Sequence, residues 1–517
     1  MASNDAHAPL IGGTPRAGDL LHSNASQKGP KMRVLSLDAL RGVAITLMIL
    51  ANYGTGGPFS HSPWNGLSLA DLAMPLFVFS MGCAIAFTVD SSSKPWRRIV
   101  GRSAWRATKL VLLGWLIKNP VAGHWDFASW RLGSVLGRLG LCYFITSCIA
   151  LAPGPSSHSR GERNRTPASD EASAAPWLDR RRAHDVREDA WRGEGLCGRR
   201  LAREVPELAS GGTPRQCAIV VAVQFVYLLL VLLLHAPGCP AGYFGAGCVH
   251  ADSGGTCIVP DRDSATNASL LNCSGGATGY IDRQLLGPAH MRRTTCAPAG
   301  CEGVDPNGAV AVLPSILHVF IGLTIGRAIR FLVLRDHASG SGARLVTAGT
   351  DRSNDGGSNR AQPRAWVRLL SWASACAAIG GIASVWLPVN KLLWSLSFVF
   401  FTSAIACVLL AALHWSIDER QLWRGGVLRA VGVNPIVLYL GSEVFDSLMD
   451  NFFVGTATCK LPSDGGRCSL KDIVLQNGFE HGGLSSDGAH AFYGVLLTCF
   501  WLAIGFWLDR SGVHITI

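Results

Sequence analysis

Residues 51–82 read ANYGTGGPFSHSPWNGLSLADLAMPLFVFSMG and join two apolar runs, near 36–56 and 67–90. Each run is about the 20 residues needed to cross a hydrocarbon core of about 30 Å. Asn52, His61, Asn65 and Asp71 collect at the joint between them. Polar and titratable groups at the mouth of membrane helices are costly unless they face the bundle or a wet cavity, so each is a functional candidate. Imidazole is also the one side chain that ordinarily exchanges a proton near neutrality.

Outward from this joint, further apolar runs fall near 107–123, 132–152, 216–235, 308–334, 367–388, 392–413, 427–450 and 489–509. The expected fold is all-α, a polytopic membrane helical bundle of about ten transmembrane helices with disulfide-bearing lumenal loops. Mean hydropathy is only +0.26 because polar segments separate the runs.

Those segments set the orientation. Lys and Arg favour cytoplasmic loops. Arg16, Lys28, Lys31 and Arg33 precede the first run, and Lys94, Arg97, Arg98 and Arg102 follow the second. Twelve Arg lie in 153–215 and eight in 327–368. These are alternate connections, so one choice of sides makes them all cytosolic, with both termini. The formal charge of +11 then reflects topology, and no nucleic-acid partner is expected. The first 33 residues hold no apolar core of a cleavable signal.

The expected organisation is a cytosolic tail over 1–33, helices one to four over 34–152 with an active-site loop at 52–71, and a cytosolic insert over 153–215. Helices five and six follow over 216–335 with a Cys-rich lumenal loop at 236–307. A second insert covers 336–363, and helices seven to ten cover 364–517 with a lumenal loop at 451–488. The tail and inserts have few apolar residues to offset chain entropy and are expected to be disordered.

Eight of the sixteen Cys fall in the two long lumenal loops: Cys239, Cys248, Cys257, Cys273, Cys296, Cys301, Cys459 and Cys468. An even number in an oxidising compartment reads as disulfides. Cys459 and Cys468, nine residues apart, are the simplest pair. Zinc is the rival reading, but the spacings lack paired C-x-x-C ligands, and no metal is expected. Asn267 and Asn272 head glycosylation sequons in the same loop.

Placed by depth, Arg138 on the fourth run and Glu443 and Asp446 on the ninth reach the same lumenal level as Asn52, His61 and Asp71. Two readings stand. In one, the charges only pair internally, Asp71 or Glu443 neutralising Arg138 and His61 an ordinary loop residue. In the other, they form a reaction or proton-transfer site. Asp38 and Arg41, three residues apart on one helix face, pair with each other or meet an anionic ligand. Arg97, Arg98, Arg102 and Arg106 suit phosphate from the cytosolic side, and positive-inside bias explains them equally well. The glycines at 54–57 match no phosphate loop and suit a turn.

The chain resembles the heparan-α-glucosaminide N-acetyltransferase family. The resemblance rests on LSLDALRGVA (35–44), NYG (52–54), HSPWNGLSLADL (61–72), RLG (138–140), PGCPAGY (237–243), NCSGGATGYIDR (272–283), PVNKLLWSLS (388–397) and EVF (443–445). These blocks keep their order from Arg33 to Asp509. The resemblance implies transfer of acetyl from cytosolic acetyl-CoA, a co-substrate, to the amine of a terminal glucosamine on the lumenal side. It puts the active histidine at His61 and the active-site asparagine at Asn52, and it implies a Cys239–Cys273 disulfide. Asp71, Asn65, Arg138, Glu443, Asp38 and Arg41 are then supporting or substrate-binding residues. The chain departs from the family at Gly137, where Gln is usual, in its long Arg-rich inserts, and in lacking the animal enzyme's extra N-terminal lumenal region and leading span.

The implied partners are a glycan ending in glucosamine and membrane lipid, and a homodimer is left open. The implied location is the lysosome or another endomembrane. Alternative readings are a polytopic sugar or anion transporter, and an acyltransferase that O-acylates another glycan.

Overall fold

The computed structural model describes residues 34–54, 59–89, 95–123, 125–152, 213–245, 249–250, 257–258, 273–291, 304–343, 365–454 and 468–515. Of 249–250, 257–258, 334–343 and 453–454 only the backbone is described. The elements are almost entirely helical. In chain order they are α1 (Leu35–Tyr53), α2 (Ala73–Thr88), α3 (Trp96–Leu116), α4 (Val135–Ala150), α5 (Pro214–Leu233) and α6 (Gly276–Leu286). Then follow α7 (Val312–Ala343), α8 (Ala365–Ala383), α9 (Leu396–Leu413), α10 (Gly426–Val433), α11 (Pro435–Asn451) and α12 (Ser486–Arg510). Two short antiparallel strand pairs, Val249–His250 with Cys257–Ile258 and Phe453–Val454 with Cys468–Ser469, and several short helical turns such as Leu470–Ile473 lie between these helices.

Each expected apolar run lies on a helix. Among the described residues, seven helices are long and apolar enough to cross a membrane: α1, α2 with the 3₁₀ turn before it, α5, α7, α8, α9 with its extension, and α12. The pair α10 and α11, bent by 82°, makes an eighth when counted as one broken span. Pro435 opens α11 and has no N–H to continue the ladder. Beside the break, Asn434 donates through Nδ2 to Val513 O at 2.9 Å and accepts from Ile515 N at 2.8 Å. The remaining two runs are α3, whose first half carries Arg97, Arg98, Arg102 and Arg106, and α4, only 16 residues long.

α1 and α2 sit inside the bundle, whereas most of α5, α8 and α12 faces outward. Their outward faces carry large apolar side chains, among them Phe225, Ile382 and Trp507, as expected of lipid-facing surfaces. α2 packs along α7, α1 along α10, and α8 along α9. Membrane helices gain little from burying apolar surface against one another, so close approach at small residues supplies the contact. Gly82 of α2 and Gly322 and Gly326 of α7 are so placed; a Cβ at Gly322 would strike the Phe79 carbonyl, and one at Gly82 the Val319 carbonyl.

The Cys239–Cys273 disulfide is present and ties the segment after α5 to the start of α6. Cys468 is disulfide-bonded as well, while Cys459, its expected partner, lies outside the described residues. Asn267, Asn272 and most of the two inserts also lie outside them. α7 continues to Ala343, past residue 336 where the second insert was expected to begin.

Candidate functional site

The loop between α1 and α2 is organised by one carboxylate. Asp71 lies in the 3₁₀ turn Ala70–Leu72 and is fully buried. Its Oδ2 accepts from Ser62 N at 3.1 Å, Ser68 N at 3.0 Å and Ser68 Oγ at 3.0 Å, which folds the loop around it. Its Oδ1 meets His61 Nδ1 at 3.0 Å and Lys391 Nζ at 3.2 Å. The Lys391 ammonium also lies 2.8 Å from Nδ1 and 3.2 Å from Nε2 of His61. His61 keeps 30% of its side chain exposed, so the ring is reachable from outside.

A second turn delivers Lys391. Residues 384–395 join α8 to α9, and the second half of the stretch is zipped to the His61 loop: Gly66 N donates to Val389 O at 2.8 Å, and Asn390 Nδ2 donates to Asn65 Oδ1 at 3.2 Å. Asn390 also accepts from Leu393 N at 2.9 Å, and its N–H donates to Ser395 Oγ at 3.1 Å. Trp394 sits at φ 53°, the left-handed region that side chains with a Cβ rarely occupy. Such strain persists where the surroundings over-determine it, and it concentrates at functional sites. From the other side, Trp64 anchors the His61 loop by packing with Val304 and Leu393 and by donating to Phe244 O at 2.8 Å.

Asn52, at the end of α1, has different partners. Its Nδ2 donates to Glu443 Oε1 at 2.8 Å, and Glu443 Oε2 meets Lys118 Nζ at 2.6 Å. Lys118 lies in a π-helical stretch, Ile117–Val121, that ends α3. Tyr439, one turn before Glu443 on α11, lines a cavity of about 300 Å³. The cavity follows α1 from Arg41 to Met48 and is walled mainly by apolar side chains of α1, α2, α3, α4 and α11, with Arg41, Arg106 and Tyr143 among its polar lining. Arg106 donates to Tyr143 Oη at 3.1 Å.

Neither Asp71 nor Glu443 neutralises Arg138, the pairing considered for the structural reading: the two acids hold Lys391 and Lys118 instead. Arg138 is buried, donates to the Pro306 carbonyl and lays its guanidinium 4.6 Å from the Trp394 ring centre. It therefore stands behind the Lys391 turn. His61 is held by both a buried carboxylate and an ammonium. Asp38 and Arg41 pair with each other at 2.9 Å. Asp446 pairs with Lys471 at 3.1 Å.

Lys391 and Lys118 were not singled out from the sequence. A lysine in a short turn between two apolar runs, and another near the end of a span, were the available signals. Outside the spans, burial pushes Asp282 of α6 up to about 6, and Asp305 adds to the rise, against the Val310 and Ala309 N–H groups and Arg138. Burial works against the charge of Lys471, yet Asp446 and Asp450 beside it raise it above the usual ammonium range.

The molecule is thus a polytopic helical membrane protein with an imidazole–carboxylate–ammonium site at a loop between its first two spans. No protein-family model matches the chain. It is 29% identical over 448 residues to human heparan-α-glucosaminide N-acetyltransferase, covering 84% of this chain and 56% of the human protein. It is 28% identical over 460 residues to the mouse protein of that name, covering 85% of this chain and 58% of the mouse protein. The two matches support membership of the heparan-α-glucosaminide N-acetyltransferase family. The chain spans a little over half the length of these curated relatives.

Proposed function

We propose that this protein transfers an acetyl group from cytosolic acetyl-CoA to the amine of a terminal glucosamine on the lumenal side of an endomembrane. The observation that carries the reading is the His61–Asp71 pair. With Nδ1–H donated to the buried carboxylate, Nε2 keeps its lone pair, the arrangement of a base held by an orienting acid. The tautomer is assigned from the carboxylate partner.

An amine that arrives protonated must lose a proton before it can attack a thioester. Nε2 of His61 takes that proton, the amine nitrogen bonds to the acetyl carbon, the carbon–sulfur bond breaks, and the leaving sulfur takes the second proton shed by the nitrogen to depart as the CoA thiol. Asn52 has one amide N–H engaged by Glu443 and a second left to meet the developing oxyanion. The apolar cavity along α1, with Arg41 and Arg106 in its lining, suits the acyl-bearing arm of CoA and its anionic end. The relatives' names supply the glucosaminide acceptor.

The test is acetyl transfer from acetyl-CoA to a glucosamine acceptor in membranes, wild type against His61→Ala. Loss of the base lowers the rate by at least about 10²-fold, with insertion unchanged because His61 is partly exposed in a loop. A well-folded His61→Ala protein with normal turnover overturns the assignment.

A further inference from the structure

We propose that Lys391 is a positioning residue for the transfer reaction: its ammonium balances the buried charge of Asp71 and so keeps the His61 imidazole neutral, with a lone pair to give to a proton or an acetyl group. The inference rests on the proposed function and adds a residue that it does not require.

The geometry supports a charge count. Asp71 is fully buried, and Oδ2 is surrounded by three dipolar donors that carry no net charge. The charge must be met at Oδ1, where two partners compete: Lys391 Nζ at 3.2 Å and His61 Nδ1 at 3.0 Å. With an ammonium there, the cluster is neutral while the imidazole is neutral. Without it, His61 is the counter-ion left to the carboxylate among the described residues, and a buried charge recruits a proton onto its neighbour. An imidazole holding that extra proton has no lone pair for the acceptor amine or the thioester. At 2.8 and 3.2 Å from the two ring nitrogens, the ammonium also opposes a second positive charge on the ring directly.

Lys391 is placed, not wandering. Its side chain is 20% exposed, and its carbonyl accepts from Trp394 N at 3.2 Å. The neighbouring Asn390 is paired across to Asn65 on the His61 loop. The strained Trp394 backbone closes the same turn. Among the described residues, Asp71, from the turn before α2, and Lys391, from the turn before α9, are the charged groups in contact with His61.

The experiment uses the full chain in detergent micelles. Diethyl pyrocarbonate acylates neutral imidazole, so its rate at His61, followed by peptide mass spectrometry from about pH 5 to about pH 8, reads the ring's protonation without acceptor or acetyl-CoA. In Lys391→Met the midpoint rises by about one pH unit or more, while Lys391→Arg stays near wild type. The acid limb of kcat/KM for acetyl transfer moves by the same amount, with KM for acetyl-CoA little changed. If Lys391→Met does not insert, Lys391→Gln carries the same expectation. An unmoved or lowered labelling midpoint in the charge-removing variant overturns the proposal. Failure of wild type to transfer acetyl would strike the proposed function alone, because the labelling still reads the charge relation.

Discussion

Asn52 and Glu443 lie 391 residues apart in sequence, and the Asn52 amide donates to the Glu443 carboxylate at 2.8 Å. An ionised carboxylate can only accept, so Glu443 fixes which end of the Asn52 amide faces it. Lys118, 2.6 Å from the other oxygen, holds Glu443 in turn. If Asn52 donates to the oxyanion, Asn52→Ala lowers kcat by about 10²–10³-fold and leaves acetyl-CoA affinity nearly unchanged. Steady-state kinetics with varied acetyl-CoA measure both; poor expression with near-normal activity per folded molecule would mark a structural residue instead.

Topology is tested by glycans. With both termini cytosolic, Asn267 and Asn272 receive glycan, whereas Asn24 and Asn164, equally good sequons, do not. Site-resolved mass spectrometry of protein from eukaryotic cells decides this, and glycan on Asn24 or Asn164 would reverse the orientation.

The Cys239–Cys273 bridge closes 34 residues of sequence. Loop closure of that size is worth about 3–4 kcal/mol, so Cys239→Ser lowers the apparent melting temperature in detergent by several degrees. Non-reducing peptide mapping of wild type should also recover Cys459 joined to Cys468. Finding Cys459 as a free thiol would remove that pair.

Stability should depend on pH through Asp282. Its folded value lies at about 6, raised by burial from 3.8. A carboxyl raised in this way binds its proton more tightly when folded, so its contribution is complete below about pH 4 and is lost as pH rises through about 6. A difference of about 2 between the two values is equivalent to roughly 3 kcal/mol. Wild type therefore gains thermal stability relative to Asp282→Asn as pH falls from about 7 to about 4. Melting curves for both proteins across that range check it; parallel curves would show that Asp282 does not titrate there.

Much of this was legible in the chain. The ten apolar runs all lie on helices because a segment in lipid must satisfy its backbone internally, although by length and hydropathy α3 and α4 do not pass as spans among the described residues. The loop holding His61 and Asp71 was legible for a related reason: titratable groups beside membrane spans stand out against their surroundings. The break at Asn434 and Pro435 was not, since a proline can open a new helix or kink one, and the 82° bend, with Asn434 bonded to Val513 and Ile515, shows only in the assembled structure.

The partners of the charged residues were decided by tertiary structure alone. By sequence, Asp71, Glu443 and Arg138 shared a depth, and depth permits any pairing among them. Lys391 reaches His61 across 330 residues and Lys118 reaches Glu443 across 325. Both contacts depend on which helices are neighbours and on how a strained turn is zipped to the loop opposite. The sequence by itself determined which segments become apolar helices and where polar groups gather, because those follow from local transfer energies. Which ammonium neutralises which carboxylate is a short-range electrostatic question, and its answer exists only once the bundle has assembled.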